Sequence, residues 1–394
     1  MKKSSAVMLA IFVGIISSVI TFVFASILFH IGAEGSEGRL PLSEFSNVEH
    51  IIEDYYLRDY DMEDLQYAGL KAMIAALDDP YSVYYTPEEY ETFNQEASGE
   101  YYGIGIVISV DDSTGLAVVE YFFEGSSAEE AGIMAGDLII SIDGQDVKKR
   151  TLQEIGVLCI GEEGTPIKIS VKRGDEVLEF DMVRRAVSMD MLGYMMLDDG
   201  IGYMRIAQFG GNCKELFVKG MDYFEQNSAK GIVIDLRDNP GGYLRTVVDV
   251  LDKLLPKGTI VYTEDKHGNR ETAYSDADCI NIPLTLIVNK NTASAAEIFA
   301  GAIQDYNYGP VVGTKTYGKG VVQVVIPIPS TGGGVKITTS QYFTPNGRSI
   351  EGNGIYPDHY VELQQDFIDN PGHYSFEEDA QVQKAIEVLK ESIK

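Results

Sequence analysis

Short apolar runs alternate with amphipathic stretches along the second half of the chain, from about residue 188 to residue 362. Runs of branched apolar residues bounded by turn residues are typical of buried strands, and apolar positions three and four apart are typical of helices. Strands that alternate with helices indicate an α/β layer, in which ligands bind near the strand ends. The predicted strands are Gly200–Ile206, Gly231–Leu236, Ile282–Val288, Val335–Thr339 and Gln341–Phe343, and the predicted helices are Cys213–Asn227, Thr246–Leu255, Ala295–Gln304 and Glu377–Ser392.

The first hundred residues follow a different pattern. Residues 6–29 carry no charge and are numerous enough to form a transmembrane helix. The preceding Lys2 and Lys3 favour an orientation in which the N-terminus stays in the cytoplasm. A cleaved signal peptide is the alternative, and in either case the remainder is expected outside the cytoplasm. Residues 40–98 show helical periodicity with a stop at Asp78–Pro80. The pattern leaves open whether this helical unit packs within the chain or against another chain.

The charge balance and the scattered cysteines exclude some classes of partner. The 394 residues carry 31 Lys and Arg against 60 Asp and Glu, a formal net charge of −29. Binding of nucleic acid requires a basic surface, so nucleic acid is not expected as a partner. The cysteines Cys159, Cys213 and Cys279 are widely spaced, and the histidines form no HExxH or His-x-His cluster. No disulfide framework, metal or cofactor is therefore expected.

Ser294 lies where the strand Ile282–Val288 passes through a polar turn into the helix Ala295–Gln304. A hydroxyl there faces the unpaired N–H groups of the first helical turn, which favour a developing negative charge. Lys319 follows between two glycines and ahead of an apolar run, Val321–Val325. A serine, a lysine with apolar neighbours and a turn rich in N–H donors are the parts of a Ser–Lys hydrolase. A serine in such a turn is also a common helix N-cap, and the local pattern leaves both interpretations open.

Residues 99–185 resemble a PDZ domain, in the permuted form found in bacterial proteases. The resemblance rests on the stretch AGIMAGDLIISIDG, which begins at Ala131. In such domains the N–H groups of a glycine-rich loop bind the terminal carboxylate of a peptide, and an adjoining strand edge pairs with that peptide. Thr151–Cys159 would be the helix that flanks the groove. The residues that match the loop are Tyr102, Gly103, Ile104, Gly105 and Ile106.

The motifs between about residue 45 and residue 391 resemble, in their order, those of the C-terminal processing (tail-specific) peptidases of family S41. They read IDLRDNPGG, VNKNTASAAEIFAGA, TYGKGVVQ and YFTPNGRSIEGNGIYPD. The resemblance implies an α/β (α+β) multidomain fold whose protease domain is a crotonase/Clp-protease-like layered α/β domain. The implied parts are a cytoplasmic tip (1–5), a transmembrane anchor (6–29), a linker (30–40), a helical segment (41–98), the PDZ domain (99–185), the protease domain (186–362) and a C-terminal helical tail (363–394).

The same resemblance implies roles for single residues. Ser294 would be the nucleophile, Lys319, which follows it by 25 positions, the base, and Gln323 the residue that orients the lysine. The N–H group of Ala295 would form the oxyanion hole together with that of Gly242, while Gly241 is the other candidate in the same turn.

Two of these roles set physical conditions. Free lysine has a pKa of ~10.4, so burial beside the valines must lower the pKa of Lys319 before it can act as a base. Residues four apart in a strand lie ~13 Å from each other, so contact between Lys319 and Gln323 requires a bend, which Gly320 permits.

The implied function is a membrane-anchored serine endopeptidase that cleaves unstructured proteins near their C-termini, outside the cytoplasm. The PDZ domain would dock the substrate tail and gate the site, and the chain would form a homodimer. The main rival is a catalytically silent PDZ scaffold that binds peptides, but such a protein would be expected to have lost Ser294 or Lys319. A protease of the His–Asp–Ser kind is a second rival, but the sequence has neither the nucleophile motif nor the upstream histidine of that class. An acyl-CoA enzyme is a third, but it would give no reason for a PDZ domain or a membrane anchor.

Overall fold

The computed structural model of the chain describes residues 40–98, 100–111, 113–123, 125–188, 191–363 and 375–393. The chain divides into two units, with the boundary between Leu70 and Lys71. Within the described ranges no helix has the length and apolar character needed to cross a bilayer. The predicted anchor at residues 6–29 lies outside the described residues.

The first unit consists of helix α1 (Leu42–Tyr55) and the beginning of helix α2 (Met62–Ala75), as the helical periodicity predicts. Large apolar side chains on α1 remain at the surface. Phe45, Val48 and Ile51 are 53%, 49% and 57% exposed. An apolar helix face of this kind is a candidate contact surface for another chain.

The second unit contains the rest of α2 and then an element that the helical periodicity does not predict. After α2 the chain forms strand β1 (Val83–Tyr85), and only then helix α3 (Pro87–Ser98). The helix stop predicted at Asp78–Pro80 agrees with the end of α2 at Ala75, but the strand that follows was not predicted. β1 pairs antiparallel with residues 334–336, far along the chain, and its Val-Tyr-Tyr sequence suits a strand.

The region that resembles a PDZ domain is an antiparallel sheet with two helices, and its core is formed by fully buried residues such as Val119, Ile139 and Ile169. The sheet order is β3-β4-β5-β7-β8, with β6 on β5, while β2 and β9 pair with each other where the chain enters and leaves the domain. The elements are β2 (Glu100–Gly103), β3 (Ile106–Val110), β4 (Ala117–Phe122), α4 (Ser127–Ala131), β5 (Leu138–Ile142), β6 (Gln145–Asp146), α5 (Leu152–Cys159), β7 (Pro166–Arg173), β8 (Glu176–Val183) and β9 (Arg185–Ser188).

The region that the motifs assign to a protease domain contributes to two sheets, and β1 joins the second of them. In the first, β10-β11-β12-β15-β16-β19, all neighbours after the antiparallel pair β10–β11 are parallel; in the second, β1-β18-β13-β14, strand β17 also pairs with β18. The elements are β10 (Leu192–Leu197), β11 (Ile201–Ile206), α6 (Cys213–Gln226), β12 (Gly231–Asp235), α7 (Leu244–Asp252), β13 (Gly258–Asp265), β14 (Arg270–Ser275), β15 (Leu284–Val288), α8 (Ala295–Asp305), β16 (Val311–Gly313), β17 (Val321–Pro327), β18 (Gly334–Phe343), β19 (His359–Tyr360) and α9 (Ala380–Ser392).

Most of the predicted protease elements are confirmed within a few residues, but the end of the domain differs from the prediction. The predicted pair of short strands, Val335–Thr339 and Gln341–Phe343, is the single strand β18. The sequence between them holds no Gly, Pro, Asn or Asp to make a turn, and Ser340 continues the pairing with β17 and β13. The strands β13 and β14 were not predicted; their mixed polar and apolar pattern is weak.

Helix α9 is joined to the central sheet by a buried ion-pair network. Arg237, just after β12, binds Asp235 at 2.6 Å and Asp379, the N-cap of α9, at 2.7 Å. Burial opposes the charge of the guanidinium, but the two carboxylates raise the pKa of Arg237 above its usual value. The hydroxyl of Tyr203 donates a further bond of 2.6 Å to Asp235. The network therefore anchors α9 directly beside the turn that follows β12.

We expect Arg237→Met to lower the free energy of unfolding of the protease domain by about 3–5 kcal/mol, because it leaves two buried carboxylates without a cation. Urea unfolding followed by circular dichroism measures the change. Arg270→Met is the matched control, since its partner Glu264 and its own side chain lie at the surface, and it should cost less than about 1 kcal/mol. Equal effects of the two substitutions would contradict the role given to the network.

Candidate active site

Ser294 occupies a strained turn between β15 and α8. Its backbone angles are φ 55° and ψ −120°, a region that side-chain-bearing residues rarely adopt and that costs about 1–3 kcal/mol. The turn is held from the neighbouring strand end, because the N–H of Ala293 donates to the carbonyl of Asn239 at 2.9 Å. Such a strained strand-to-helix turn exposes the hydroxyl of a nucleophilic serine in other hydrolases.

The turn after β12, Asn239–Gly242, packs directly against Ser294. The buried Asn239 shapes it: its side-chain carbonyl accepts the N–H of Gly241 at 2.8 Å, and its amide donates to the carbonyl of Ile206 at 2.9 Å. Gly241 has φ 108°, and a Cβ on it would lie 2.8 Å from Cβ of Ser294. Only glycine permits this close approach of the two turns.

Two N–H groups beside Ser294 remain open. Within the described part of the chain, neither the N–H of Gly242 nor that of Ala295 donates a hydrogen bond, whereas the N–H of Gly241 is taken by Asn239. Gly242 has φ 134°, and its neighbours on both sides are bonded to Phe209. The two open donors are the kind of groups that stabilise an oxyanion.

Glu297 connects the serine turn with the lysine loop, and it is fully buried. Its Oε2 accepts the N–H of Ser294 at 2.9 Å and that of Lys319 at 2.8 Å. Its Oε1 accepts the hydroxyl of Thr316 at 2.6 Å and the N–H of Gly318 at 2.7 Å. Burial raises the pKa of Glu297, while these four donors act in the opposite direction. Each carboxylate oxygen thus accepts two hydrogen bonds, and all four partners are donors. This pattern matches an ionised carboxylate, which can only accept hydrogen bonds.

A buried tyrosine binds the same two residues through their carbonyl groups. The hydroxyl of Tyr342 lies 3.0 Å from the carbonyl oxygen of Ser294 and also contacts the carbonyl oxygen of Lys319. Burial raises the pKa of Tyr342 well above its usual value, so the hydroxyl keeps its proton for these two acceptors. Glu297 therefore holds the backbones of Ser294 and Lys319 together through their N–H groups, and Tyr342 does so through their carbonyl groups.

The side chain of Lys319 is partly buried, and this burial, together with the charge of Lys336, lowers its pKa. The carboxylates of Asp79, Glu351 and Glu297 act in the opposite direction. Its Nζ lies 4.7 Å from the ring centroid of Tyr81 and, among the described residues, forms no hydrogen bond with Ser294. A lowered pKa increases the fraction of neutral amine, which is the form that accepts a proton.

Gln323 lies on β17 next to an irregularity in the pairing. The register of β17 against β18 shifts between Val322 and Gln323, so the bend expected near Gly320 lies further along the strand. The side-chain amide of Gln323 donates to the hydroxyl of Thr338 at 3.0 Å. Within the described residues it has no hydrogen bond with Lys319.

The glycine-rich loop of the PDZ domain joins β2 to β3. Gly105 has φ 73°, and a Cβ there would lie 2.5 Å from Cβ of Ser126, so the position requires glycine. The N–H groups of Ile104 and Gly105 donate no hydrogen bond in the described part of the chain, while their carbonyls accept from Ala128 and Phe123. The loop thus presents open donors beside the edge of β3, as a carboxylate site requires.

Several residues at this site were not predicted from the sequence. Glu297 served only as a landmark of its motif, although a glutamate three residues after a serine is a signal for a capping box. The Asn-Pro-Gly-Gly turn was noticed, but not the role of Asn239 in shaping it. Nothing in the local sequence marks Tyr342 or Tyr81, because strand pairings bring both from distant parts of the chain.

The comparisons with known proteins agree with this fold. Residues 200–361 match peptidase family S41, and residues 118–173 match the PDZ domain. The carboxyl-terminal-processing protease of Synechocystis sp. is 34% identical over 318 residues, which are 79% of this chain and 74% of that protein. That of Picosynechococcus sp. is 34% identical over 349 residues, or 86% and 82%.

A solved structure shares the fold at low sequence identity. A Bacteroides fragilis protein assigned to the S41 proteases is 14% identical, with a TM-score of 0.56, over 86% of this chain and 93% of that chain. Fold and site together define a PDZ-containing serine peptidase. The chain belongs to peptidase family S41, among the carboxyl-terminal-processing proteases, which confirms the resemblance of its motifs.

We expect Glu297→Gln to reduce kcat by about 10²-fold, because an amide presents N–H groups to donors and shifts the loop of Lys319 relative to Ser294. Peptide hydrolysis measured alongside the melting temperature separates this from unfolding. Glu154→Gln is the control: Glu154 holds the same position in α5, where it accepts the N–H and hydroxyl of its N-cap Thr151, but it lies in the PDZ domain. A kcat in Glu297→Gln equal to that of this control would contradict the expectation.

Proposed function

We propose that the chain cleaves polypeptides with Ser294 as the nucleophile and Lys319 as the general base. The observation that carries the proposal is the shared carboxylate oxygen: Oε2 of Glu297 accepts both backbone N–H groups, at 2.9 and 2.8 Å. The two nitrogen atoms can be no further apart than these two bonds laid end to end. Two residues that are distant in sequence are thereby neighbours, on a strained turn and in a partly buried loop.

In this mechanism the hydroxyl of Ser294 attacks the carbonyl carbon of the scissile peptide bond while its proton passes to Nζ of Lys319. The tetrahedral intermediate then collapses, and the ammonium gives the proton to the departing amine, which leaves an ester on Ser294. A water molecule attacks this ester, again losing its proton to Lys319, and the acid product leaves as the serine regains a proton. The lowered pKa of Lys319 supports this role, because the amine must be neutral at the start.

The oxyanion of the intermediate is assigned to the N–H groups of Gly242 and Ala295. Both lie beside Ser294 and have no partner among the described residues, so they meet the negative charge without giving up another bond. Gly241 is the poorer candidate because Asn239 already binds its N–H. The orienting role of Gln323 remains a prediction, since its amide is bound to Thr338.

We expect Ser294→Ala and Lys319→Ala each to lower kcat/KM for an unstructured polypeptide by about 10³-fold or more, as for residues that act as a unit. Casein or a tail peptide is digested by the full chain in detergent, and new N-termini are counted. Lys315→Ala is the control, because Lys315 lies four positions before Lys319 but faces the ring of Tyr356 at 5.2 Å. Undiminished cleavage by either active-site variant would exclude the Ser–Lys mechanism, whereas absence of cleavage by the unmodified chain would favour the catalytically silent PDZ scaffold.

We further propose that the PDZ loop, Tyr102–Ile106, binds the C-terminal carboxylate of the substrate. The open N–H groups of Ile104 and Gly105 support it, and the edge of β3 offers the bonds for an added strand. A tail held there would feed the adjoining segment to Ser294, which accounts for cleavage near C-termini and for control of activity by the PDZ domain.

We expect a fluorescent peptide with a free C-terminus to bind the Ser294→Ala chain at least about 10-fold more tightly than the same peptide with an amidated C-terminus. Amidation removes the charge that the N–H groups of the loop recognise, without any change to the protein. Fluorescence anisotropy measures both dissociation constants. Equal affinities would rule out carboxylate recognition by the loop.

The location and assembly of the enzyme also belong to the proposal. Residues 6–29 would anchor the chain in the cell membrane with its catalytic part outside the cytoplasm. A homodimer is proposed, and the exposed apolar residues Phe45, Val48 and Ile51 on α1 support it. A monomer in light scattering at micromolar concentration would contradict the dimer.

A further inference from the structure

The turn Asp79–Ser82 lies beside Lys319, although it precedes the lysine by more than two hundred positions. Strand β1, which starts at Val83, brings it there by pairing with β18 in the register Val83 to Lys336. In the sequence this stretch reads only as the end of a helix. Its position in the fold makes it part of the surroundings of the active site.

Tyr81 is the member of this turn that meets the lysine. Nζ of Lys319 lies 4.7 Å from its ring centroid, within the ~6 Å over which the face of an aromatic ring attracts a cation. The ring is fixed at both ends. The backbone N–H of Tyr81 donates to the carboxylate of Asp79 at 3.0 Å, and burial, together with a bond to the hydroxyl of Tyr317, raises the pKa of Tyr81 to about 12.

The same turn is linked to Gln323 through a chain of hydrogen bonds. The hydroxyl of Ser82 donates to Asp79 at 2.6 Å and accepts the N–H of Thr338 at 3.1 Å. The hydroxyl of Thr338 in turn accepts the side-chain amide of Gln323 at 3.0 Å. The turn that carries Tyr81 is therefore linked to β18 and, through Thr338, to β17, the strand that follows the lysine.

Four charged groups from different segments of the chain act on Lys319. Lys336 on β18 repels a positive charge there, while Asp79 before β1, Glu351 beyond β18 and Glu297 on α8 attract it. The ring of Tyr81 is neutral, so it excludes water from the amine like any apolar group. It differs from an aliphatic group in the negative electrostatic potential of its face, which attracts the amine once the amine carries a positive charge.

We propose that Tyr81 is a positioning residue that acts through Lys319, its ring stabilising the ammonium group that forms when the lysine takes the proton of Ser294. The inference rests on the proposed role of Lys319 as the base. Before attack the ring keeps water from the neutral amine. As the proton moves from the serine oxygen to Nζ, positive charge appears against the ring face, so the interaction strengthens in the transition state, where it raises kcat.

The test compares the two ways of replacing the ring. Tyr81→Phe keeps the aromatic face, and kcat should stay within about threefold of wild type. Tyr81→Leu keeps an apolar cover but no aromatic face, and kcat should fall about tenfold with KM changed less than about twofold. Tyr85→Leu is the matched control, because Tyr85 lies on the same segment but faces Lys336, at 5.7 Å. Its kcat should stay within about threefold of wild type.

The pH profile provides a readout that mere loss of packing would not move. Without the aromatic face the ammonium form is less stable, so the pKa of Lys319 falls and the acid limb of kcat/KM moves to lower pH in Tyr81→Leu, while the plateau drops. A plateau that drops with an unmoved limb, a limb that moves to higher pH, or a Tyr81→Phe variant as slow as Tyr81→Leu would overturn the inference.

A separate measurement distinguishes this inference from the proposed mechanism. In the Ser294→Ala chain, the pH dependence of the reaction of Lys319 with an amine-specific reagent, followed by mass spectrometry, reports its pKa without any turnover. A lower pKa in Tyr81→Leu than in Tyr81→Phe is expected, and identical values overturn the inference. A lowered pKa with unchanged hydrolysis, or hydrolysis that survives Lys319→Ala, would instead refute Lys319 as the base.

Discussion

The buried carboxylate of Glu297 is the constraint on which the site depends. It accepts the N–H groups of Ser294 and Lys319, and Tyr342 binds their carbonyls from the other side. A charge buried in this way is costly unless every lone pair is matched, and here Thr316 and Gly318 complete the set. Ser294 and Lys319 therefore need no direct bond between their side chains to keep a fixed distance between their backbones.

Around this centre, groups with complementary tasks come from separate layers of the fold. The turn after β12 contributes the open N–H of Gly242, and the first turn of α8 contributes that of Ala295. The second sheet contributes the partners of Lys319, because β18 carries both Tyr342 and Lys336 and pairs with β1, which follows Tyr81. The ion pairs of Arg237 anchor the far end of the same β12 turn to α9.

Much of the site could be predicted from the sequence, because its key residues lie in short stretches with strong local patterns. Ser294 was placed correctly at a strand-to-helix turn, and Gly242 at a tight turn after a buried strand. The geometry of Lys319 and Gln323 was harder to predict, because the register shift between Val322 and Gln323 depends on the pairing of β17 with β18. Tyr81 and Tyr342 could not be found, because their roles come from pairings between distant segments. The split predicted within β18 was wrong although the local sequence holds no turn residue there, because one continuous ladder of hydrogen bonds with β17 and β13 runs through Ser340.

The pairing of β1 with β18 determines when the contacts around Lys319 can form during synthesis of the chain. A chain is synthesised from its N-terminus, so β1 is made first, then the whole PDZ domain, and only afterwards the strand with which β1 pairs. Until residue 342 has emerged, Ser294 and Lys319 lack their common tyrosine, and Tyr81 has no means of reaching the lysine. A partly synthesised chain that ends before β18 therefore contains Ser294 and Lys319 but lacks the contacts that Tyr342 and Tyr81 make in the complete fold.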